Sequence, residues 1–259
     1  MDKNDKKNIA IAWLCAWMLP AHYIIRGKFS MFLKKNYNLP EGFTVTWHAG
    51  ALHTQDNTLP SLKTALDYGA DIAELDVSFL PDGTPVIIHD SAPTDTSLPR
   101  LEDAFRLVAQ YEKTCLNLDL KSTVNVKAVD ELAEKYGLTD RAFYTGVGES
   151  WIPAVKSASK LPYYLNIYPS LPDMYDRERA AAIAKKAADL GCIGLNMHFS
   201  HATHVLLEAA RKQNMLISLW TPSKTAEIKL VLALSPDNLT TTRPDRAYSQ
   251  LNRKLKKIR

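Results

Sequence analysis

Short β-rich runs alternate with amphipathic helical stretches from residue 43 onward. Apolar and β-branched residues bounded by turn residues predict strands at residues 43–48, 72–77, 115–120, 141–146, 163–168, 192–197, 216–221 and 238–242. Segments with the helical spacing of apolar residues, such as LEDAFRLVAQYE, lie between these runs, and several end in Gly or Asn as helix C-caps require. Eight strand-helix repeats predict a single α/β domain, a (β/α)8 TIM barrel, with no room for a second large domain.

Polar residues within these strands fall on one face. Alternate residues of a strand point to opposite faces of the sheet, so Asn117, Asp119 and Lys121 lie opposite the leucines of CLNLDLK. The same spacing groups Glu74 with Asp76. Further sets with this spacing are Thr44, Thr46 and His48; Tyr164, Asn166 and Tyr168; Gly194, Asn196 and His198; and Ser218 and Trp220. Because burying unpaired polar groups is costly, we expect them to face the barrel axis and to mark its C-terminal mouth as the site.

Three carboxylates are predicted to converge at this mouth. Glu74 and Asp76 share a strand face, and Asp119 occupies the equivalent position on the next barrel strand. They repel one another unless a cation lies between them, and ligation by oxygen alone suits Mg²⁺ or Ca²⁺ better than zinc. The alternative is that they pair with a nearby cation such as Lys121. We therefore predict one bound divalent cation, Mg²⁺ or Ca²⁺.

Two histidines end predicted strand segments beside this cluster. His48 ends the first strand, and His89 ends the hairpin-like run TPVIIHD. Either alone is commonly a structural histidine, but beside a metal one can act as general base and the other as general acid on a phosphate ester. Lys121 could then compensate the charge of a phosphoryl oxygen. The remaining candidates, His53, His198, His201 and His204, have no short spacing that links them to the cluster.

The chain ends carry separate signals. Residues 9–25, IAIAWLCAWMLPAHYII, are flanked by cations and predict, within residues 1–38, either an apolar membrane-anchoring helix or an apolar helix packed on the domain. The barrel is assigned to residues 39–250. Residues 251–259 form a basic tail that is either solvated or in contact with anionic lipid headgroups. The expected location is a membrane surface reached through the N-terminal helix, and otherwise the cytoplasm or periplasm.

Composition narrows the class of function further. With 46% hydrophobic residues, the chain can fill a sizeable core. Its 32 basic and 28 acidic residues give a net charge of +4, too balanced for a nucleic-acid footprint over the domain, so no nucleic acid is expected. Three isolated cysteines suggest reduced structural thiols. No protein partner is predicted.

Several motifs, in order from about residue 43 to 246, resemble those of the glycerophosphodiester phosphodiesterase family. They are WHAG…QDNT, GADIAELDVSFLPDGTPVIIHD, LPRLEDAF, LNLDLK, LISLWT and NLTTTRPD. The resemblance implies a TIM barrel with a divalent cation on Glu74, Asp76 and Asp119, and with His48 and His89 as the acid-base pair. It also implies substrate contacts from Lys121, Asn57 and Trp220.

The chain departs from the family pattern in four places. Ala49 stands where the family has an arginine after the first catalytic histidine, so the guanidinium group of that arginine is missing from this chain. Asp56 and Asp119 each stand where the family has a glutamate. Only residues 91–100 separate the HD motif from LEDAF, where the family inserts a small capping subdomain. An open mouth of this kind suits a bulky or membrane-embedded substrate.

The sequence therefore predicts a metal-dependent phosphodiesterase that hydrolyses glycerophosphodiesters or lysophospholipid headgroups by histidine acid-base catalysis. Two alternatives remain open. One is a phospholipase C-like lyase that forms a cyclic phosphate, and the other is a catalytically degenerate, membrane-attached binding barrel, which the missing arginine and cap would favour.

Overall fold

The computed structural model describes residues 37–255. The strands among them are β1 (Thr44–Trp47), β2 (Ile72–Phe79), β3 (Pro85–Ile87), β4 (Cys115–Leu120), β5 (Ala142–Thr145), β6 (Tyr164–Asn166), β7 (Gly194–His198), β8 (Leu216–Trp220) and β9 (Asn238–Thr241). The α-helices are α1 (Leu59–Asp67), α2 (Leu101–Val108), α3 (Val126–Lys135), α4 (Ile152–Ala158), α5 (Leu171–Tyr175), α6 (Arg177–Asp189), α7 (His204–Lys212), α8 (Thr225–Ala233) and α9 (Pro244–Gln250). All eight strands predicted from the sequence are present, with ends shifted by at most a few residues.

Eight of these strands form a parallel ring. Their order is β5, β4, β2, β1, β9, β8, β7 and β6, and each neighbouring pair is hydrogen bonded. A bridge between Tyr144 and Tyr163, with the Tyr144 amide donating to Pro162 at 2.8 Å, joins the two ends of that order. The ninth strand, β3, pairs antiparallel with the outer end of β2. The TIM barrel predicted from the sequence is thus confirmed.

Helices cover the outside of the ring because the strands present apolar side chains there. Leu116, Leu118 and Leu120 of β4 are each at most 1% exposed. Helix α2 contributes a matching buried stripe that includes Leu101 and Phe105. Burying a leucine or phenylalanine side chain fully contributes about 1.5–3 kcal/mol, so this interface stabilises the barrel wall strongly.

Polar side chains fill the barrel axis, as the strand spacing predicted. At the N-terminal end of the ring, the Asn238 carboxamide accepts from the hydroxyls of Thr44 and Thr46 at 3.1 and 2.9 Å and donates to Ser218 at 3.0 Å. Buried polar groups satisfied in this way avoid a desolvation cost of about 1–3 kcal/mol each. Polar residues therefore alternate along the whole barrel axis, and only those at the C-terminal ends of the strands form the site.

The segment between β3 and α2 contains no helix in the structure. It carries the His89 and Asp90 positions and returns to the sheet through an isolated bridge between Val86 and Arg100. The chain therefore adds no helical cap over the mouth at this point.

The predicted N-terminal helix within residues 1–38 lies almost wholly outside the described residues, as do the last four residues of the basic tail. Tyr37 and Leu39, which are described, pack against the core. No helix within residues 37–255 combines the length and apolar character needed to cross a membrane.

Candidate active site

A cavity of 630 Å³ opens at the C-terminal ends of the barrel strands. Seven of the eight side chains predicted to form the site line it, namely His48, His89, Glu74, Asp76, Asp119, Lys121 and Trp220. The eighth, Asn57, does not. A cavity of this size is typical of sites for small molecules.

The three carboxylates come together because β2 and β4 pair in parallel with Asp76 opposite Asp119. Glu74 lies two residues before Asp76 on the same face of β2. Each of the three offers one oxygen, and these atoms lie within 4.8 Å of one another. Oxygen donors at such spacing match the ligand preference of Mg²⁺ and Ca²⁺.

The charge state of Glu74 indicates that this cradle fits a cation. Burial, together with the charges of Asp76 and Asp119, raises the pKa of Glu74 to about 8, against the opposing effect of His48. A buried carboxylate surrounded by like charges favours its neutral form unless a cation compensates it. A divalent cation among the three oxygens would supply that compensation, so the residues present fit the metal that the sequence predicted.

Lys121 also lies among the carboxylates. Its ammonium group is 2.9 Å from Asp76 and 2.5 Å from Asp119. Burial alone would lower the pKa of Lys121, but Asp119 and Asp76 outweigh it and hold that pKa above its ordinary value. One lysine thus pairs with two of the three carboxylates and leaves the buried Glu74 without a direct lysine partner.

Asn57 supports Asp76 from behind the cavity. Its carboxamide nitrogen donates to the Asp76 carboxylate at 2.6 Å, and its oxygen accepts from the Asp76 backbone amide at 3.0 Å. Asn57 adopts a left-handed backbone conformation with φ of 57°, immediately before Thr58, which caps α1. Burial raises the pKa of Asp76, but Lys121 and Asn57 outweigh it, and the net pKa lies below its usual value. The structure thus gives Asn57 a contact with a predicted metal ligand.

His48 is oriented by the backbone that follows it. Its Nδ1 donates to the Ala49 carbonyl at 2.7 Å and lies 4.0 Å from Glu74. Burial lowers the pKa of His48, but Glu74 and the bond to Ala49 outweigh it, so the net pKa is raised. With Nδ1 engaged, Nε2 is the ring nitrogen left to exchange a proton at the site. Ala49 itself is buried, and its amide donates to Glu74 at 2.8 Å.

His89 reaches the mouth from the segment that follows β3. The preceding residue, Ile88, donates its amide to the Asp76 carbonyl at 3.0 Å, which extends the pairing of β3 with β2. His89 is exposed and lines the cavity. The two histidines therefore approach the carboxylate cluster from two different chain segments.

Two residues missed by the sequence prediction hold Asp119 in place. The Thr145 hydroxyl, opposite Asp119 on β5, lies 2.7 Å from the Asn117 oxygen and 3.1 Å from the Asp119 carboxylate. A Cβ atom at Gly146 would lie 2.5 Å from that same carboxylate, and Gly146 has φ of 76°. Only glycine therefore permits this close approach. The Thr-Gly end of the run RAFYTG is the signal that could have identified them.

The side of the cavity away from the carboxylates is aromatic. It is lined by Trp151, Tyr168 and Trp220, of which only Trp220 was predicted as a site residue. The Tyr168 and Trp220 rings meet edge to face at 6.4 Å. His198 packs against Trp220 at 5.1 Å, outside the cavity lining. The cavity is therefore charged on the β1–β4 side, whereas the β5–β8 side carries aromatic rings among neutral polar residues such as Asn166.

Three of the remaining histidines lie outside the cavity lining. His53 and His204 are exposed, and neither lines the cavity. Burial lowers the pKa of His201, which also lies outside the lining.

The chain is similar in sequence to known phosphodiesterases. A model of the glycerophosphoryl diester phosphodiesterase family matches residues 48–109, the segment that carries both histidines, Glu74 and Asp76. A glycerophosphodiester phosphodiesterase of Bacillus altitudinis is 23% identical over 235 residues, covering 74% of this chain and 91% of that protein.

Solved structures show the same barrel. An Oleispira antarctica phosphodiesterase in complex with the product sn-glycerol-3-phosphate has a TM-score of 0.66 and 20% identity, covering 83% of this chain and 97% of that one. A glycerophosphodiester phosphodiesterase of Agrobacterium tumefaciens has a TM-score of 0.63 and 18% identity, covering 80% of this chain and 99% of that one. The predicted resemblance and the TIM-barrel fold are thus confirmed: residues 48–109 are similar to the glycerophosphoryl diester phosphodiesterase family, and solved phosphodiesterases have the same barrel.

Proposed function

We propose that the barrel hydrolyses glycerophosphodiesters to an alcohol and a glycerol phosphate, with His48 and His89 as the acid-base pair. The observation that carries this proposal is the convergence of both histidines and all three carboxylates on one cavity. The binding of sn-glycerol-3-phosphate, described as the product, by the Oleispira phosphodiesterase supports the same reaction for this chain.

Glu74, Asp76 and Asp119 would hold one divalent cation, Mg²⁺ or Ca²⁺. Bound there, it would supply positive charge to the phosphoryl oxygens as negative charge develops on them. Lys121 contributes a second positive charge from the same cluster, where Asp76 and Asp119 fix its ammonium group. Because Ala49 supplies no guanidinium group, Lys121 is the residue with a fixed positive charge that lines the cavity in the described part of the chain.

The histidines move the protons. One takes a proton from the attacking water, and the other gives a proton to the departing alkoxide, so both bond formation and bond cleavage avoid a charged oxygen in solution. His48 has Nε2 available for this exchange because Nδ1 is engaged with Ala49. His89 is exposed at the mouth and can reach the other oxygen of the ester.

The substrate class extends from soluble glycerophosphodiesters to lysophospholipid headgroups. The segment between β3 and α2 forms no helical cap, so the mouth can admit a diester whose alcohol is bulky. Association with a membrane surface through residues 9–25 would bring the barrel to such lipids.

The decisive experiment measures hydrolysis of a panel of phosphodiesters with chelator, and then with Mg²⁺ or Ca²⁺ restored. Turnover should require the metal. Changing His89 to Ala should lower kcat roughly 100- to 10,000-fold, the usual contribution of a general acid or base, without loss of folded structure by circular dichroism. His204→Ala is the matched control, because His204 is exposed and outside the cavity, and it should retain normal turnover.

The outcomes separate the alternatives. Near-normal turnover in the His89→Ala variant would overturn the acid-base assignment. A cyclic phosphate among the products, detected by ³¹P NMR, would identify a lyase. Absence of metal-dependent turnover on every diester would leave a binding barrel.

A further inference from the structure

The aromatic side of the cavity has no role in the acid-base chemistry. Trp151 comes from the loop after β5, Tyr168 follows β6, and Trp220 ends β8. The catalytic candidates come from β1 to β4, across the mouth. A diester held with its phosphorus at the carboxylate cluster has two alcohol arms, and one arm can extend across the cavity to these rings.

The part of Trp220 that lines the cavity is apolar. Its Nε1 atom is buried and has no hydrogen-bond partner among residues 37–255. The indole N–H is therefore turned into the protein, and the carbon part of the ring system faces the space beside Tyr168. Edge contacts from His198 at 5.1 Å and Tyr168 at 6.4 Å fix that orientation. A ligand arm here meets aromatic carbon.

The charge of the cavity favours a cationic arm. Three of the four carboxylates that line it among the described residues, Glu74, Asp76 and Asp119, would be compensated by the proposed metal and by Lys121. The fourth, Asp90, lies outside that cluster and leaves net negative charge in the lining. Aromatic faces carry negative quadrupole charge and bind ammonium groups, and quaternary ammonium most specifically. The three rings add this preference to a cavity that already attracts cations.

A long acyl chain fits the surface less well. Among residues 37–255, the exposed large apolar residues besides Tyr168, which is 71% exposed, are Val124, Tyr175 and Leu216, and none of these three lines the cavity. Tyr168 is therefore the only exposed large apolar residue of the described chain that lines the cavity, and it alone cannot form a continuous apolar track for a long acyl chain. Scattered single apolar residues do not make a lipid-binding surface.

We propose that Trp151, Tyr168 and Trp220 form a subsite for the alcohol arm of the diester and select a compact quaternary ammonium group. This selectivity rests on the proposed phosphodiesterase function. The subsite lies within the same 630 Å³ cavity, so one bound diester occupies both the charged and the aromatic sides.

The test compares kcat/KM for glycerophosphocholine with kcat/KM for glycerophosphoglycerol, which has a neutral alcohol arm. Removing a cation–π partner lowers affinity roughly 3- to 30-fold. Tyr168→Leu should therefore lower the ratio of kcat/KM for glycerophosphocholine to kcat/KM for glycerophosphoglycerol by about that factor, mainly through KM. Tyr168→Phe keeps the ring and should restore the ratio. Tyr175→Leu, the same change at a tyrosine outside the cavity, should leave the ratio at its original value. An unchanged ratio in Tyr168→Leu would overturn the subsite.

A binding measurement on the unmodified chain tests the subsite independently of turnover. Choline should quench tryptophan fluorescence at concentrations at least about threefold below those needed for 3,3-dimethylbutan-1-ol, its neutral isostere, because only choline carries the charge. Equal binding of the two would refute the subsite even where hydrolysis is observed. Preferential choline binding without hydrolysis of any diester would instead uphold the subsite and refute the proposed function.

Discussion

Asn57 lies outside the cavity lining but holds a predicted metal ligand, Asp76. Its carboxamide makes two hydrogen bonds to Asp76, one to the carboxylate and one to the backbone amide, which fix both the side chain and the strand that carries it. Such partners of metal ligands set ligand orientation, and their loss commonly lowers metal affinity by 10- to 100-fold.

Replacing Asn57 with Gly tests this role. Glycine accepts the left-handed backbone of Asn57, where φ is 57°, so the change removes the carboxamide with little backbone strain. We expect metal affinity to fall about 10- to 100-fold by isothermal titration calorimetry. The control is Asn214→Gly, because Asn214 also has a left-handed backbone, with φ of 56°, and is exposed before β8. Equal metal affinities in the two variants would refute the positioning role.

The raised pKa of Glu74 predicts a specific pH dependence for metal binding. Burial raises the pKa of Glu74 to about 8, so without a cation its carboxyl group is largely protonated at neutral pH. A divalent cation must displace that proton, and metal affinity should therefore rise up to about tenfold per pH unit from pH 6 towards 8 and level off above it.

Calorimetry in buffers of different ionisation enthalpy measures this proton release directly. The Glu74→Gln variant has no proton to displace at this position, so its weaker metal binding should depend less on pH. Metal affinity that is constant from pH 6 to 8 in the unchanged protein would contradict the assignment of Glu74 as a buried, protonated ligand.

At the scale of elements, the sequence is most informative where one physical rule acts alone. The alternation of residues along β2 and β4 is a property of extended backbone, so it placed Glu74, Asp76 and Asp119 on the barrel axis without tertiary information. The strand-helix repeat likewise predicted the ring and its closure.

Loops and contacts between distant segments obey no such local rule. The contact of Asn57 with Asp76 depends on where the loop before α1 crosses β2, and the strand spacing says nothing of that path. Tyr168 was grouped with axial residues, but its contact with Trp220, the last residue of β8, depends on the path of the loop after β6. Trp151 lies in a short 3-10 helix after β5, where alternation no longer applies. These positions are fixed only by the folded chain.

At the scale of the whole molecule, a contact near the C-terminal end joins distant parts of the barrel. Arg253 forms two hydrogen bonds to Asp71, at 3.0 and 2.7 Å, just before β2, and its guanidinium lies 4.7 Å from the centre of the Tyr248 ring. Asp71 also accepts from the Val45 amide of β1 at 3.0 Å. These contacts hold the segment after α9 against the N-terminal ends of β1 and β2.

Removing this contact should lower global stability modestly. The Arg253 side chain is 42% exposed, which weakens the ion pair, so Arg253→Ala should reduce the free energy of unfolding by about 1 kcal/mol in urea denaturation. Lys185→Ala is the control, since it removes an exposed pair with Asp189 within α6 and should cost no more than about 0.5 kcal/mol. Equal losses in both variants would show that the contact contributes nothing beyond an ordinary surface pair.

The position of this contact shows where a linker can be fused to the barrel without blocking the cavity. β1 begins at Thr44, and Arg253 meets Asp71, on the face that carries the N-terminal ends of the strands, opposite the cavity. A linker fused directly ahead of β1 or after Arg253 would hold the barrel by its base and leave its mouth open to water. In that orientation diesters would arrive from the aqueous phase, and the enzyme could be immobilised by either end without obstructing substrate entry.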